Sequence, residues 1–291
     1  MATDRIEVKK TYKLFINGAF PRSESGRTFE VKDSKGALIA NAALASRKDL
    51  RDAVTAARAA QPGWNKATAY NKGQILYRVA EILESRKEEV AAEISREMNI
   101  TIVAARKEVL EAIDYWVWSA GWSDKIHSIL GSTNPVAGPY YNFTAPEALG
   151  VVVAFSDATG FFGLCAAIST AILSGNTVVA VAHEKSPLSA ITLAEIVATS
   201  DVPAGVINIL TGKNKDLATW TGSHMDVDGV DATGLSATQR KELAIAGAEN
   251  LKRIHSFPVK ASTSGKKDSY RSLERITSFL EYKTVWHPVG L

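Results

Sequence analysis

The chain has 291 residues, 46% hydrophobic and 22% charged, with 34 basic and 31 acidic residues. This is an ordinary globular composition, which excludes disordered, collagenous and coiled-coil readings for the chain as a whole. An excess of three positive charges, spread along the sequence, gives no case for nucleic acid as a partner. A single cysteine, Cys165, excludes an intramolecular disulfide and suits a reducing compartment, so a cytoplasmic location is expected. The polar opening MATDRIEVKK is not a secretory signal. No apolar run reaches the roughly 18 residues of a membrane helix, so no membrane association is expected.

Residues 1–12 read as a flexible leader. KLFING, residues 13–18, reads as a strand ending in an Asn-Gly turn. Residues 28–31 and 38–44 read as further strands. Residues 47–61 carry Leu50, Val54 and Ala57 at helical spacing, with Pro62-Gly63 as the expected stop. Residues 71–98 repeat the pattern, and 101–130 predict a third long helix or a helix pair. Its aromatic stripe, Tyr115, Trp116, Trp118 and Trp122, reads as packing against a sheet.

The stretch PVAGPYYNFTAP, residues 135–146, is bounded by prolines and alternates through Tyr141 and Phe143, which predicts a protruding β-arm. From Gly150 the pattern becomes β/α: strands at 151–155, 177–182 and 206–210, helices at 161–174, 187–199 and 237–252. That alternation predicts a doubly wound parallel sheet with right-handed crossovers. KASTSGKKD, residues 260–268, reads as a polar linker, and YKTVW, residues 282–286, as a terminal strand.

KLFINGAFPRSESGRTFEV, AVTAARAAQPGW, AYNKGQILYRVAEILE, GPYYNFTAPEALGVV, LSGNTVV and ENLK occur in that order and resemble the aldehyde dehydrogenase superfamily over nearly all of residues 13–255. EYKTVWHP resembles that family's C-terminal strand. The resemblance implies an α/β fold: a Rossmann-like domain over 13–135 and 150–259, with an N-terminal helical segment. It also implies an oligomerisation arm over 136–149 and 276–288 that reaches a neighbouring subunit through Tyr140, Tyr141, Phe143, Tyr282, Val285 and Trp286. Residues 260–275 would then be a linker standing where the family has a whole nucleophile domain, so the catalytic thiol is expected to be missing. In this the chain is similar to the truncated second module of family 16 aldehyde dehydrogenases.

The resemblance also locates losses in the retained half. The family's oxyanion Asn falls on Ala158 or Thr159, neither of which carries an amide. The ribose-binding Lys falls on Val181, while Glu184 survives as a vestige. Trp220-Thr221-Gly222-Ser223 mimics the family's phosphate motif but precedes the His224–Asp228 stretch that should come before it, so it reads as a decoy. Ala232-Thr233-Gly234-Leu235 is the implied equivalent, with Gly234 kept and the later glycine replaced by Gln239. The general base falls on Phe257, which cannot accept a proton.

Cys165 lies in an apolar helical segment and reads as a structural thiol. Thr211-Gly212-Lys213 reads as an ordinary turn, and the five histidines have no metal-ligand spacing. The leading expectation is therefore a catalytically deficient subunit that binds itself or a full-length aldehyde dehydrogenase, with no cofactor. The alternatives are an NAD(P)-dependent component retaining nucleotide binding, and a ligand sensor using a cleft made apolar by Ala158, Val181 and Leu235.

Overall fold

A computed structural model describes residues 8–258 and 270–290. Strands β1 (Thr11–Tyr12), β2 (Thr28–Lys32) and β3 (Leu38–Ala43) form a small sheet in the order β1-β3-β2. β1 pairs in parallel with β3, so the expected leader is already structured at residue 11; residues 1–7 lie outside the described part. KLFING is a turn rather than a full strand. Asn17 and Gly18 take positive φ, and Phe15 exchanges backbone hydrogen bonds of 2.9 and 2.8 Å with Ile209.

Helices α1 (Arg47–Lys66), α2 (Ala69–Ser85), α3 (Lys87–Met98), α4 (Ile102–Trp122) and α5 (Ile126–Leu130) follow. A capping box of Ser46 and Asp49 starts α1. The helix does not stop at Pro62 as the sequence suggested. Trp64 is buried in its last turn and its indole N–H donates to the Ile172 carbonyl at 2.8 Å, so packing carries the helix past the proline. The expected helix over 71–98 is two helices, broken at Arg86.

Strands β4 (Ser132–Asn134) and β5 (Tyr140–Ala148) lead into the alternating part: β6 (Val151–Phe155), α6 (Phe161–Leu173), β7 (Thr177–Val181), α7 (Pro187–Val197), β8 (Ile207–Leu210), α8 (Asn214–Ser223), β9 (Gly229–Asp231), α9 (Ala237–Gly247) and β10 (Arg253–His255). The five strands make an all-parallel sheet ordered β10-β9-β6-β7-β8. VVVAF and TVVAV are buried at every position, which is why they read as unbroken apolar runs. Alternate residues serve the two layers: Val151, Val153 and Phe155 pack with α1 and α8, while Val152 and Ala154 pack with α4 and α6.

The chain ends in α10 (Leu273–Thr277) and β11 (Leu280–Pro288). β11 pairs antiparallel with β5 along its whole length, giving an arm sheet ordered β11-β5-β4. The predicted linker is corrected at its end: Tyr270 and Arg275 are 3% and 4% exposed and part of α10 falls within it. The stretch 260–268 read as a polar linker lies outside the described residues. No helix among the described residues is long and apolar enough to cross a membrane.

Candidate functional site

In a doubly wound sheet the crevice for a ligand opens at the carboxyl ends of the strands where the winding reverses. Here the chain runs β6, β7, β8 outward and then returns to place β9 on the other side of β6. The crevice therefore lies past Phe155 of β6 and Asp231 of β9.

The chain's own side chains fill it. The Tyr270 hydroxyl donates to Asp157 Oδ2 at 2.7 Å and lies 3.2 Å from the Thr159 hydroxyl. The Tyr115 hydroxyl donates to the Tyr270 carbonyl at 2.8 Å, and the Phe162 ring meets the Tyr270 ring edge-on with centroids 4.8 Å apart. Beside it, the Arg275 guanidinium is 3.5 Å from Asp231 Oδ2 and lies 4.4 Å from the Phe257 ring centroid and 4.5 Å from that of Tyr270. Burial pushes the Tyr270 hydroxyl up from its ordinary range, and the Asp157 charge adds to this. Burial likewise raises the Asp231 carboxyl, against the pull of Arg275.

The second feature of a dinucleotide crevice is a set of free N–H groups at helix starts. Three of these starts donate to the protein's own carboxyl groups. Phe162 N–H at the start of α6 donates to Glu108 Oε1 at 3.1 Å. Leu188 and Ser189 at the start of α7 donate to Glu97 at 2.8 and 3.2 Å. Asn214 at the start of α8 donates to Glu184 Oε1 at 3.0 Å. A fourth start, that of α9, is closed by a capping box in which Ser236 and Gln239 bind each other's backbone N–H.

These contacts locate the residues singled out from the sequence. Glu184 is exposed and faces the start of α8. Gly234 sits against β6: its N–H donates to the Phe155 carbonyl at 3.0 Å, and a Cβ there would come within 2.2 Å of the Ser156 carbonyl oxygen. The residue must be glycine for that approach, whatever else it does. Trp220-Thr221-Gly222-Ser223 is the last turn of α8, not a loop before a helix. Thr211 donates to the Ala43 carbonyl at 2.6 Å, so its loop joins the small sheet to the large one.

Phe257 is buried under Arg275. Val181 and Leu235, expected to line an apolar cleft, are core residues packed with Phe155 and Val230, while Ala158 is exposed on the turn after β6. The apolar cleft imagined from these three is therefore not formed. Cys165 is fully buried, and burial pushes its thiol well above the usual range. No group of three metal-ligating side chains occurs among the described residues. Tyr270 and Arg275 carried no signal in the sequence, because short segments around a presumed linker show no periodicity.

The arm residues form a second cluster. Tyr140 and Trp286 meet edge-on at 5.8 Å, and Tyr141 and Phe143 lie 5.5 Å apart on the opposite face. Tyr140, Tyr141, Tyr282 and Trp286 are 44%, 49%, 50% and 58% exposed, and Phe143 and Val285 are half-buried.

The profile of the Aldehyde dehydrogenase family matches residues 20–257. An aldehyde dehydrogenase of Emericella nidulans is 32% identical over 254 residues, which is 87% of this chain and 51% of that protein. Human retinal dehydrogenase 2 is 33% identical over 260 residues, 87% of this chain and 49% of that protein. The NAD-dependent aldehyde dehydrogenase of Sinorhizobium meliloti superposes with a TM-score of 0.79 at 26% identity, covering 86% of this chain and 50% of that structure. The aldehyde dehydrogenase of Bacillus cereus in complex with NAD+ superposes with a TM-score of 0.77 at 27% identity, over 84% and 50%. The chain thus spans about half the length of the relatives it matches, and it belongs to the aldehyde dehydrogenase family.

Proposed function

We propose that this chain is a catalytically deficient aldehyde dehydrogenase subunit whose role is assembly, with itself or with a full-length aldehyde dehydrogenase. The observation that carries this reading is the filled crevice. Tyr270 and Arg275 occupy the switch point, and the donors that a pyrophosphate would need are bonded to Glu108, Glu97, Glu184 and the Ser236 capping box. On this donor set a dinucleotide does not fit, so no hydride transfer is assigned to the chain. The sequence supports the same reading, since no amide, Lys or acidic base stands at the family's oxyanion, ribose and general-base positions.

The arm, by contrast, is complete and presents its aromatic side chains to solvent, as an assembling element does. A single buried thiol suits the cytoplasm. The test is calorimetric titration of the purified protein with NAD+ and with NADP+, beside an assay for aldehyde oxidation. Neither nucleotide is expected to give saturable heat at millimolar concentration. Micromolar binding, or turnover lost on changing one residue, would overturn the reading.

A further inference from the structure

A cavity of about 530 Å³ lies where the first turns of α1 meet the end of α8 and the turn before β2. Four cations line it: Arg27 from the turn, and Arg47, Lys48 and Arg51 from α1. One carboxylate lines it too. Glu24 lies 3.7 Å from Lys48 Nζ and accepts from the Ser46 hydroxyl at 3.0 Å. Arg51 is held at 2.9 Å by its neighbour Asp52. Asp49 is buried, and its oxygens accept from the Ser23 hydroxyl and from the N–H groups of Glu24 and Ser46. Among the described residues Arg27 and Arg47 form no ion pair; Arg27 donates to the Ser25 hydroxyl at 3.4 Å, and Arg47 rests on Trp220.

Arg47 is fixed in place by that contact. Its guanidinium carbon lies 3.6 Å from the indole centroid. Stacking takes up the face of a guanidinium and leaves its in-plane N–H donors free. A carboxylate meets those donors in a two-pronged, charge-assisted contact, with little further ordering of the side chain. The turn that carries Arg27 is tied to the start of α1 through Glu24 and Asp49, so both arginines sit on one frame. The first N–H groups of α1 are spent elsewhere: those of Lys48 and Asp49 donate to Ser46 Oγ.

We propose that this cavity binds a small organic dicarboxylate, one carboxylate on Arg47, the other on Arg27, and its carbon body against Trp220. The site uses neither the crevice nor the arm, and so goes beyond the function proposed above. Two arginines without a carboxylate call for two negative charges. They come from separate elements, which suits charges at the two ends of a molecule rather than on one compact anion. The volume falls within the roughly 300–1,000 Å³ of small-molecule sites. The field has the right sign: His224, at the cavity wall, is pushed below its ordinary range by burial first, with Lys252, Arg47 and Arg51 adding to this against Asp226.

The experiment is calorimetric titration of the intact protein at low salt with isophthalate, adipate, benzoate and inorganic phosphate. Isophthalate is expected to bind in the submillimolar range, and benzoate and phosphate about tenfold more weakly, since each can satisfy only one arginine. Arg27→Gln and Arg47→Gln alter exposed side chains and should each bring isophthalate down to the level of benzoate. Arg106→Gln alters an exposed arginine paired with Glu88 away from the cavity and should change nothing. Trp220→Leu frees Arg47 from its stack and should weaken isophthalate several-fold. Added salt should weaken binding to the unaltered protein, a readout that needs no mutation.

Equal affinity for isophthalate and benzoate, or tighter binding of phosphate, would overturn the two-ended site. So would an Arg47→Gln protein that binds isophthalate as the unaltered one does, or the absence of saturable heat from both isophthalate and adipate at millimolar concentration. Each of these outcomes leaves the assembly reading in place, because that reading is tested by NAD+ and NADP+ titration and by aldehyde oxidation.

Discussion

Tyr270 and Asp157 are 113 residues apart in sequence and share a 2.7 Å hydrogen bond at the mouth of the parallel sheet. The bond joins the turn after β6 to the segment leading into α10, and so closes the crevice with the chain's own atoms. Both residues are buried, at 3% and 6% exposure. Tyr270→Phe removes the donor and leaves a buried carboxylate short of a partner, which costs about 1–3 kcal/mol. The midpoint of thermal unfolding should fall by several degrees. Titration of this variant with NAD+ should still give no saturable heat, because the helix starts remain bonded to Glu108, Glu97 and Glu184.

Arg275 and Asp231 are buried together. Arg275→Met leaves Asp231 uncompensated and should cost about 3–5 kcal/mol in urea unfolding. Adding Asp231→Asn should recover a large part of that loss, since the uncompensated charge is gone. If the double variant is no more stable than the single one, the loss comes from packing of the Arg275 stem against Phe257 and Tyr270, not from charge.

Glu97 gives a pH dependence with a definite sign. Burial pushes its carboxyl up to about 8 from 4.5, the neighbouring Glu93 charge adds to this, and the Ser189 hydroxyl and the two N–H donors of α7 oppose it. Between pH 4.5 and 8 the folded protein holds a proton that the unfolded chain has released. Stability due to this group therefore falls as pH rises through that window. Glu97→Gln keeps a neutral acceptor for the start of α7 and should flatten the fall. Urea midpoints of the two proteins at pH 5 and pH 8 check it: the gap between them should close or reverse in favour of the variant at pH 8.

Cys165 has no open route to solvent. Ellman's reagent should leave the native protein untouched and react with one thiol per chain only after unfolding. Rapid modification of the folded protein would show that α6 opens locally.

Much of this architecture is legible in the residues themselves. VVVAF and TVVAV read as buried strands from their unbroken apolar runs, and they are buried at every position. What the sequence concealed was tertiary. Pro62 marks a helix end by local rule, yet Trp64 bonded to Ile172 holds the helix together two residues later. Tyr270 and Arg275 sat in or beside an apparent linker, and nothing local marks a residue whose partners lie 113 and 44 positions away. Nothing in the sequence around Glu97 and Glu108 marks them; only the placement of α7 and α6 shows that they accept from other helices' first turns.

The pairing of β5 with β11 also has a consequence in time. Thr144 and Thr284 touch across that ladder, 140 residues apart in the chain. At a synthesis rate of about 5–20 residues per second, β5 leaves the ribosome roughly 7 to 28 seconds before its partner exists. During that interval Tyr141 and Phe143 stand on an uncovered strand, while the five-stranded sheet can already assemble beside it. Of the three sheets described, the arm is thus the last able to form, because its ladder waits for β11.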